Sequence, residues 1–291
     1  MATQVPLGAQ RLVRRVTRSG GRLTSGLRMT PSFLVVGAQR CGTTSMYKTV
    51  TAHPSVLPAV LHKGVHYFDT SYHRGPSWYR GHFPLELTAR RVSQATGGPV
   101  VTGESSPYYM FHPLAGERIA RDLPGVRIVV LLRDPVERAH SAHAHESARG
   151  FETEAFERAL ELEPERLAGE EERLRADPGY QSHAHQHHAY LTRGRYVDQL
   201  ERLERLFGRE RMYVIDSGDL FTDAEPILAG LFAFLGVPPW QPPSFEQHNA
   251  RPRSSLDPAL RRRLREAFAG DDERLAAWLG RPPSWRRRDD G

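Results

Sequence analysis

Apolar residues come in four short blocks, each followed by a longer segment with helical spacing. The blocks are Phe33 to Val36, Val100 to Glu104, Val126 to Leu132 and Met212 to Ile215. Short apolar runs bounded by glycine, proline and charge read as buried strands. The helical segments are Thr43 to Thr51, Pro113 to Asp122, Pro135 toward Arg149, Tyr190 to Phe207, Glu225 to Leu235 and Pro258 to about Leu279. In the last of these, Leu260, Leu264, Ala267 and Phe268 are spaced as a buried stripe. His53-Pro54 closes the first helix, because a residue before proline avoids the helical region. Residues 72–85, with Trp78 and Tyr79, read as a short helix beside a cleft, and Arg90 to Gly98 as a polar loop. Residues 152–175 alternate Glu and Arg at helical spacing and read as a solvated helical insertion. Strands alternating with helices predict an α/β fold with a mostly parallel central sheet flanked by helices. One domain over residues 31–285 accommodates all of it.

Charge adds a preference for anionic partners. The 291 residues carry a net charge of +6, and of the 40 basic residues only Lys48 and Lys63 are lysine. Such an arginine excess fits a GC-rich, hence bacterial, genome. No Arg-Gly repeat or basic strip interleaved with aromatics argues for nucleic acid. No apolar run approaches the ~18 residues of a membrane span. Residues 1–30 hold Arg11, Arg14, Arg15, Arg18, Arg22 and Arg28 without the apolar core of a signal peptide. They are expected to form a disordered basic tail, with peripheral contact to an anionic membrane as the alternative. A cytoplasmic location follows. Cys41 is the single cysteine, which excludes an intrachain disulfide. The histidines at 140, 143, 145, 183, 185, 187 and 188 match no standard zinc spacing, so no metal is expected.

The candidate chemistry centres on residues 33–46. A strand, the loop Gly37 to Gly42, and a helix opened by Thr43, Thr44 and Ser45 follow one another. Such a loop aims backbone N–H groups and a helix dipole at one point, where an anion belongs. Gly37 and Gly42 have P-loop spacing, but Thr43-Thr44 replaces the usual Lys-Ser/Thr. That argues against a nucleoside triphosphate. With Arg40 inside the loop and hydroxyls after it, a shorter anion fits, such as one phosphate joined to one sulfate.

Gly-Ala-Gln-Arg-Cys-Gly-Thr-Thr-Ser at 37–45 resembles the 5′-phosphosulfate loop of sulfotransferases that use 3′-phosphoadenosine 5′-phosphosulfate (PAPS), especially the heparan-sulfate-type branch and its bacterial relatives. Many members have lysine where this chain has Arg40. Arg133-Asp134-Pro135, with Ser141 two turns into the next helix, resembles the family's 3′-phosphate motif. Asn249-Ala250-Arg251 aligns with a late turn over the same phosphate, with only the arginine kept. Lys63 to Asp69 resembles the segment that carries the catalytic base, but the family glutamate is Gly64 here. Glu104 to Tyr109 resembles a Glu-Lys-Ser/Thr-Pro-x-Tyr stretch beside the transferring sulfate, but the family lysine is Ser105 here.

The resemblance implies a P-loop-like, three-layer, single-domain sulfotransferase fold and transfer of a sulfuryl group from PAPS without a metal. Arg40 is expected to neutralise the bridging oxygen. Cys41, Gly42, Thr43, Thr44 and Ser45 are expected to hold the 5′-phosphate, and Arg133, Ser141 and Arg251 the 3′-phosphate. His66 is the first candidate for the base, its alternative being a packing residue that orients Asp69. Glu104 is the second candidate, its alternative being a structural carboxylate. The acceptor is expected to be a hydroxyl or amine on a carbohydrate, lipid or natural product. The competing functions are a catalytically silent PAPS-binding relative, which Gly64 and Ser105 keep open, and a P-loop small-molecule kinase.

Overall fold

A computed structural model describes residues 21–242 and 255–287. Its centre is one five-stranded sheet: β1 (Phe33–Gly37), β2 (Val56–Pro58), β3 (Val101–Ser105), β4 (Arg127–Leu132) and β5 (Met212–Asp216). The order is β2-β3-β1-β4-β5, and every pairing is parallel. Eight helices of eight or more residues cover it among the described residues: α1 (Thr43–Ala52), α2 (Glu86–Thr96), α3 (Ala115–Asp122), α4 (Pro135–Ser147), α5 (Phe156–Leu167), α6 (Tyr196–Phe207), α7 (Ala224–Leu235) and α8 (Pro258–Leu279). This is the expected α/β architecture, P-loop-like with three layers.

Sheet position follows from sequence. All five residues of β1 and all of Ile128 to Leu132 are buried, as strands covered on both faces must be. Leu34 sits beside Glu104 and Val35 beside both Ser105 and Val129. The carboxyl ends of β1, β3, β4 and β5 therefore emerge along one edge, which is where open parallel sheets bind ligands. Side chains cap α4 and α8: Asp134 accepts from the Val136 and Glu137 N–H groups at 2.8 and 3.3 Å, and Asp257 from Leu260 N–H at 2.9 Å.

Several expectations need correction. Residues 90–98 are largely helix α2, not a loop; Arg90, Arg91, Gln94 and Ala95 are good helix formers, and only Ala89 is buried. Strand β2 was not expected, being a three-residue edge. The tail assigned to 1–30 is part of the fold from residue 21 on: Ser25–Leu27 forms a 3-10 turn, Arg28 bridges to Leu85 and donates to the Phe83 carbonyl at 2.6 Å. Residues 1–20, with most of the basic run and its proposed membrane contact, lie outside the described residues. Ala267 is exposed, leaving Leu260, Leu264 and Phe268 as the buried stripe of α8. The 152–175 segment is not simply solvated, because Glu152 and Glu163 are buried. Glu163 accepts from the Leu191 and Thr192 N–H groups at 2.7 and 2.8 Å, and Glu152 binds Arg166 at 2.7 Å.

Candidate active site

A cavity of about 980 Å³ opens on the strand-end edge. Each strand contributes the residues that follow it: Gln39 to Thr44 after β1, Ser105, Pro107 and Tyr108 at β3, Arg133 and Asp134 after β4, and Ser217 and Gly218 after β5. Lys63, Gly64 and His66 close one side, and Ser141, Arg261 and Arg265 the other.

The first anion position is the start of α1. Gly42 at φ 90° caps it in the left-handed region, where glycine carries no steric penalty, and this cap residue offers no side chain to the first N–H groups. Thr43 and Ser45 are buried, while Thr44 accepts a hydrogen bond from Lys63 Nζ at 2.5 Å. The loop is fastened from behind. Ser217 Oγ donates to the Cys41 carbonyl at 2.6 Å, and Tyr196 Oη donates to the Arg133 carbonyl at 2.8 Å while lying 3.6 Å from Cys41 Sγ. Buried Arg193 donates to the Gln39 side chain. Burial pushes the Cys41 thiol up despite Arg138, Arg133 and Arg40 nearby, which suits a structural sulfur rather than a reactive one.

The second position lies across the cavity. Arg133, at the end of β4, contacts the Arg40 carbonyl at 3.4 Å and Glu137 at 3.6 Å, loosely enough to turn toward a ligand. Arg40 Nε donates to Ser141 Oγ at 3.1 Å, so the loop arginine points toward this second group. Arg261 joins through Glu137 at 2.5 Å. Arg251 lies outside the described residues.

The third cluster is the 63–69 segment. His66 Nδ1 is 2.7 Å from Asp69 Oδ2. Burial alone would lower the His66 pKa, but the charge and hydrogen bond of Asp69, with Glu104 behind, raise it. A Cβ on Gly64 would meet the Ser105 carbonyl at 2.6 Å and His66 Nε2 at 3.4 Å. Position 64 therefore has no room for a side chain, and His66 Nε2 stands beside the place one would leave from. Among the described residues the non-glycine residues at positive φ are Arg40 (71°) and His66 (54°), and both line the cavity. Backbone held in that region collects where function requires it.

Glu104 does not reach the cavity. It is fully buried and accepts from Val65 N–H at 2.7 Å, Ser106 Oγ–H at 2.6 Å and Tyr109 Oη–H at 2.8 Å. Burial raises its pKa against those bonds. It holds the loop that carries His66 rather than facing a substrate. Trp78 and Tyr79 are likewise absent from the lining, and Tyr79 stacks on Tyr67 at 4.6 Å in the core. Of the histidines at 140–145 and 183–188, His145 and His187 line the cavity, whereas His185 is buried against Tyr108 at 2.7 Å and held neutral, pushed down to about 2 by burial and Arg193. Among the described residues no group of His, Cys, Asp and Glu is arranged to hold a metal.

Sequence reasoning missed Lys63, Ser217, Arg261 and Arg265. Arg261 and Arg265 were visible only as an i, i+4 pair on α8, and nothing said which face they occupied.

Fold and site together have the form of a group-transfer enzyme whose first strand-to-helix loop opens into the cavity. The chain belongs to the sulfotransferase domain family, whose profile matches residues 30–250. It is 30% identical over 220 residues to human bifunctional heparan sulfate N-deacetylase/N-sulfotransferase 3, covering 72% of this chain and 22% of that one. It is 26% identical over 220 residues to human heparan sulfate glucosamine 3-O-sulfotransferase 5, covering 75% and 57%. The chain thus spans under two thirds of these relatives' lengths. A crystal structure of a sulfotransferase from Alicyclobacillus acidocaldarius is 29% identical and superposes with a TM-score of 0.60, covering 89% of this chain and 99% of that one. No helix of the described residues is long and apolar enough to cross a membrane.

Proposed function

We propose that this sulfotransferase takes its sulfuryl group from PAPS and transfers it to a hydroxyl or amine of a carbohydrate, lipid or natural-product acceptor. The observation that carries this reading is two candidate anion positions that face one cavity from opposite sides: the start of α1, and the Arg133–Ser141 pair. A nucleotide phosphorylated at both its 5′ and 3′ positions matches two such sites, and a triphosphate does not. The missing P-loop lysine also counts against a kinase.

In this reading the N–H groups around Gly42 to Ser45 and the Thr43 and Thr44 hydroxyls hold the 5′-phosphate. Arg133 and Ser141, with Arg251, hold the 3′-phosphate. Arg40 neutralises charge between the two. His66 Nε2 takes the acceptor proton while Asp69 fixes Nδ1–H, the tautomer a base needs. The acceptor atom bonds to sulfur, the bond from sulfur to the phosphate oxygen breaks, and its electron pair stays on that oxygen. Positioning and fixed charge supply most of the rate. Glu104 is a positioning residue beneath the base. Heparan sulfate in the names of the human relatives makes a carbohydrate the first acceptor class to screen.

Gly64 and Ser105 favour one second reading, a relative that binds PAPS without transferring. Calorimetry of 3′-phosphoadenosine 5′-phosphate (PAP) against adenosine 5′-phosphate tests the donor site, with a strong preference for PAP expected. Equal or absent binding refutes it. PAP release from PAPS with a panel of sugar, lipid and phenolic acceptors then separates enzyme from silent relative.

A further inference from the structure

Lys63 is one of the chain's two lysines, and it sits where three pieces of the site meet. Its Nζ donates to Thr44 Oγ1 at 2.5 Å, over the open start of α1. Its carbonyl accepts from Ser105 N–H at 2.6 Å, which fastens residue 63 to the end of β3. Two residues beyond Gly64 stands His66, with Nε2 turned toward the Gly64 Cα. The side chain is therefore held between the phosphate cradle and the base, along the line a transferred group would follow.

The cations that the family resemblance would place here are elsewhere. Position 105 carries a serine whose Oγ is buried without a hydrogen-bond partner and offers no charge. Arg40 directs Nε to Ser141, on the second anion position. With Arg40 serving the charge between the two phosphate positions, Lys63 is placed to serve the sulfuryl end, since its ammonium already reaches Thr44 at the start of α1. A sulfuryl group in transfer spreads negative charge over three oxygens, and a compact ammonium with three rotatable donors suits it better than a planar fork.

We propose that Lys63 is a catalytic residue whose ammonium contacts the oxygens of the sulfuryl group, replacing the cation missing from position 105. This rests on the PAPS reading above and assigns its sulfuryl subsite. Electrostatics agree: the partial desolvation of Lys63, with Arg40 and Lys48 nearby, lowers its pKa to about 8. A lysine crowded by positive charge and open to the cavity gains most when an anion arrives. As the group moves, the Lys63 proton stays on Nζ, and only the acceptor proton leaves, to His66.

The test needs no acceptor. PAPS and PAP differ by the sulfuryl group, so calorimetry of the full chain with each isolates contacts to it. Lys63→Met should lower affinity for PAPS about 10- to 100-fold, the loss of a hydrogen bond to a charged group, and leave PAP within about threefold. Lys63→Arg should recover most of the PAPS affinity, because it restores charge. The melting temperatures of both variants should stay close to that of the wild type, as for an open side chain outside the core. Equal losses for both nucleotides would assign Lys63 to the 5′-phosphate or to folding, and would overturn the proposal. So would no loss for either, or a Lys63→Arg variant as weak as Lys63→Met. A wild type that binds neither nucleotide refutes the donor reading itself, which is a separate and recognisable failure.

Discussion

Glu104→Gln separates a structural carboxylate from a chemical one. In the wild type, Oε2 takes the Val65 and Ser106 donors and Oε1 takes Tyr109. A glutamine has one acceptor oxygen. If it keeps Val65 and Ser106, its NH₂ faces Tyr109 Oη, which already accepts from Tyr67 N–H at 2.8 Å. Tyr109 then loses its acceptor. The gross cost is about 1.5–3 kcal/mol for a hydrogen bond to a charged group, and a neutral amide recovers part of it by escaping desolvation. A net loss of about 1–2 kcal/mol lowers the melting temperature by about 2–8 °C in a domain of this size. Glu104→Ala orphans three donors and should cost at least about 3 kcal/mol. The pH dependence carries a sign. Because the folded-state pKa of Glu104 is raised above its ordinary 4.5, the unfolded chain releases this proton first. The group's contribution to stability therefore falls as pH rises from about 4.5 through the folded pKa. Glu104→Gln should flatten that slope. The assay is urea denaturation across pH, alongside PAP affinity, which should not change because Glu104 lies beneath the cavity. An unchanged midpoint and unchanged PAP affinity with abolished transfer would refute this reasoning and make Glu104 the base.

Arg133→Ala should weaken PAP binding by about 1.5–3 kcal/mol, measured by calorimetry, and unchanged affinity would remove it from the 3′-phosphate. With an acceptor in hand, kcat/KM should rise with pH through the His66 pKa, above its ordinary 6.5, and fall near the Lys63 value of about 8. Asp69→Asn should move the rising limb to lower pH and slow transfer; an unmoved limb would exclude His66 as base. The His66–Asp69 contact also supplies stability that is complete below pH 6.5 and lost as pH rises through the raised folded value, so Asp69→Asn should remove that dependence from denaturation midpoints. Gly64→Ala puts a Cβ 2.6 Å from the Ser105 carbonyl and should destabilise by about 1–3 kcal/mol. A Gly64→Ala variant as stable as the wild type would show that this backbone yields easily.

Strands β1, β4 and β5 were legible as near-continuous apolar runs, the pattern a two-sided sheet demands, whereas β3, Val-Thr-Gly-Glu-Ser, showed only the Val100-Val101 pair at its start. The helix starts at Pro135 and Pro258 were legible because proline favours the first helical position, and Asp134 and Asp257 before them serve as caps. Helix α2 was not, because its outward faces are polar and it buries little of its own, so helix and loop look alike in composition. Glu152 and Glu163 misled in the opposite direction. A run of Glu and Arg signals a solvated face, and only tertiary contact reveals that two of the carboxylates cap buried N–H groups at Leu191 and Thr192 or pair with Arg166.

The site was legible where chemistry sits in local sequence, as in the loop at 37–45. It was illegible where charge crosses between segments. Read along the chain, Gly64 and Ser105 are two losses from a catalytic pattern. In space they are neighbours: the Ser105 carbonyl fills the room a side chain at 64 would need, and Ser105 N–H anchors the Lys63 carbonyl. A carboxylate restored at 64 would collide with β3, and the backbone that forbids it presents the His66 imidazole at the same spot. The two departures thus meet at one backbone contact. Substitutions at 64 and 105 should for that reason be non-additive: Gly64→Ala and Ser105→Lys each strain the same contact, and the double variant should lose less stability than the sum of the singles, because residues in contact couple. Strict additivity in denaturation midpoints would mean that the two departures are independent, and that position 105 lost its cation without Lys63 having taken its place.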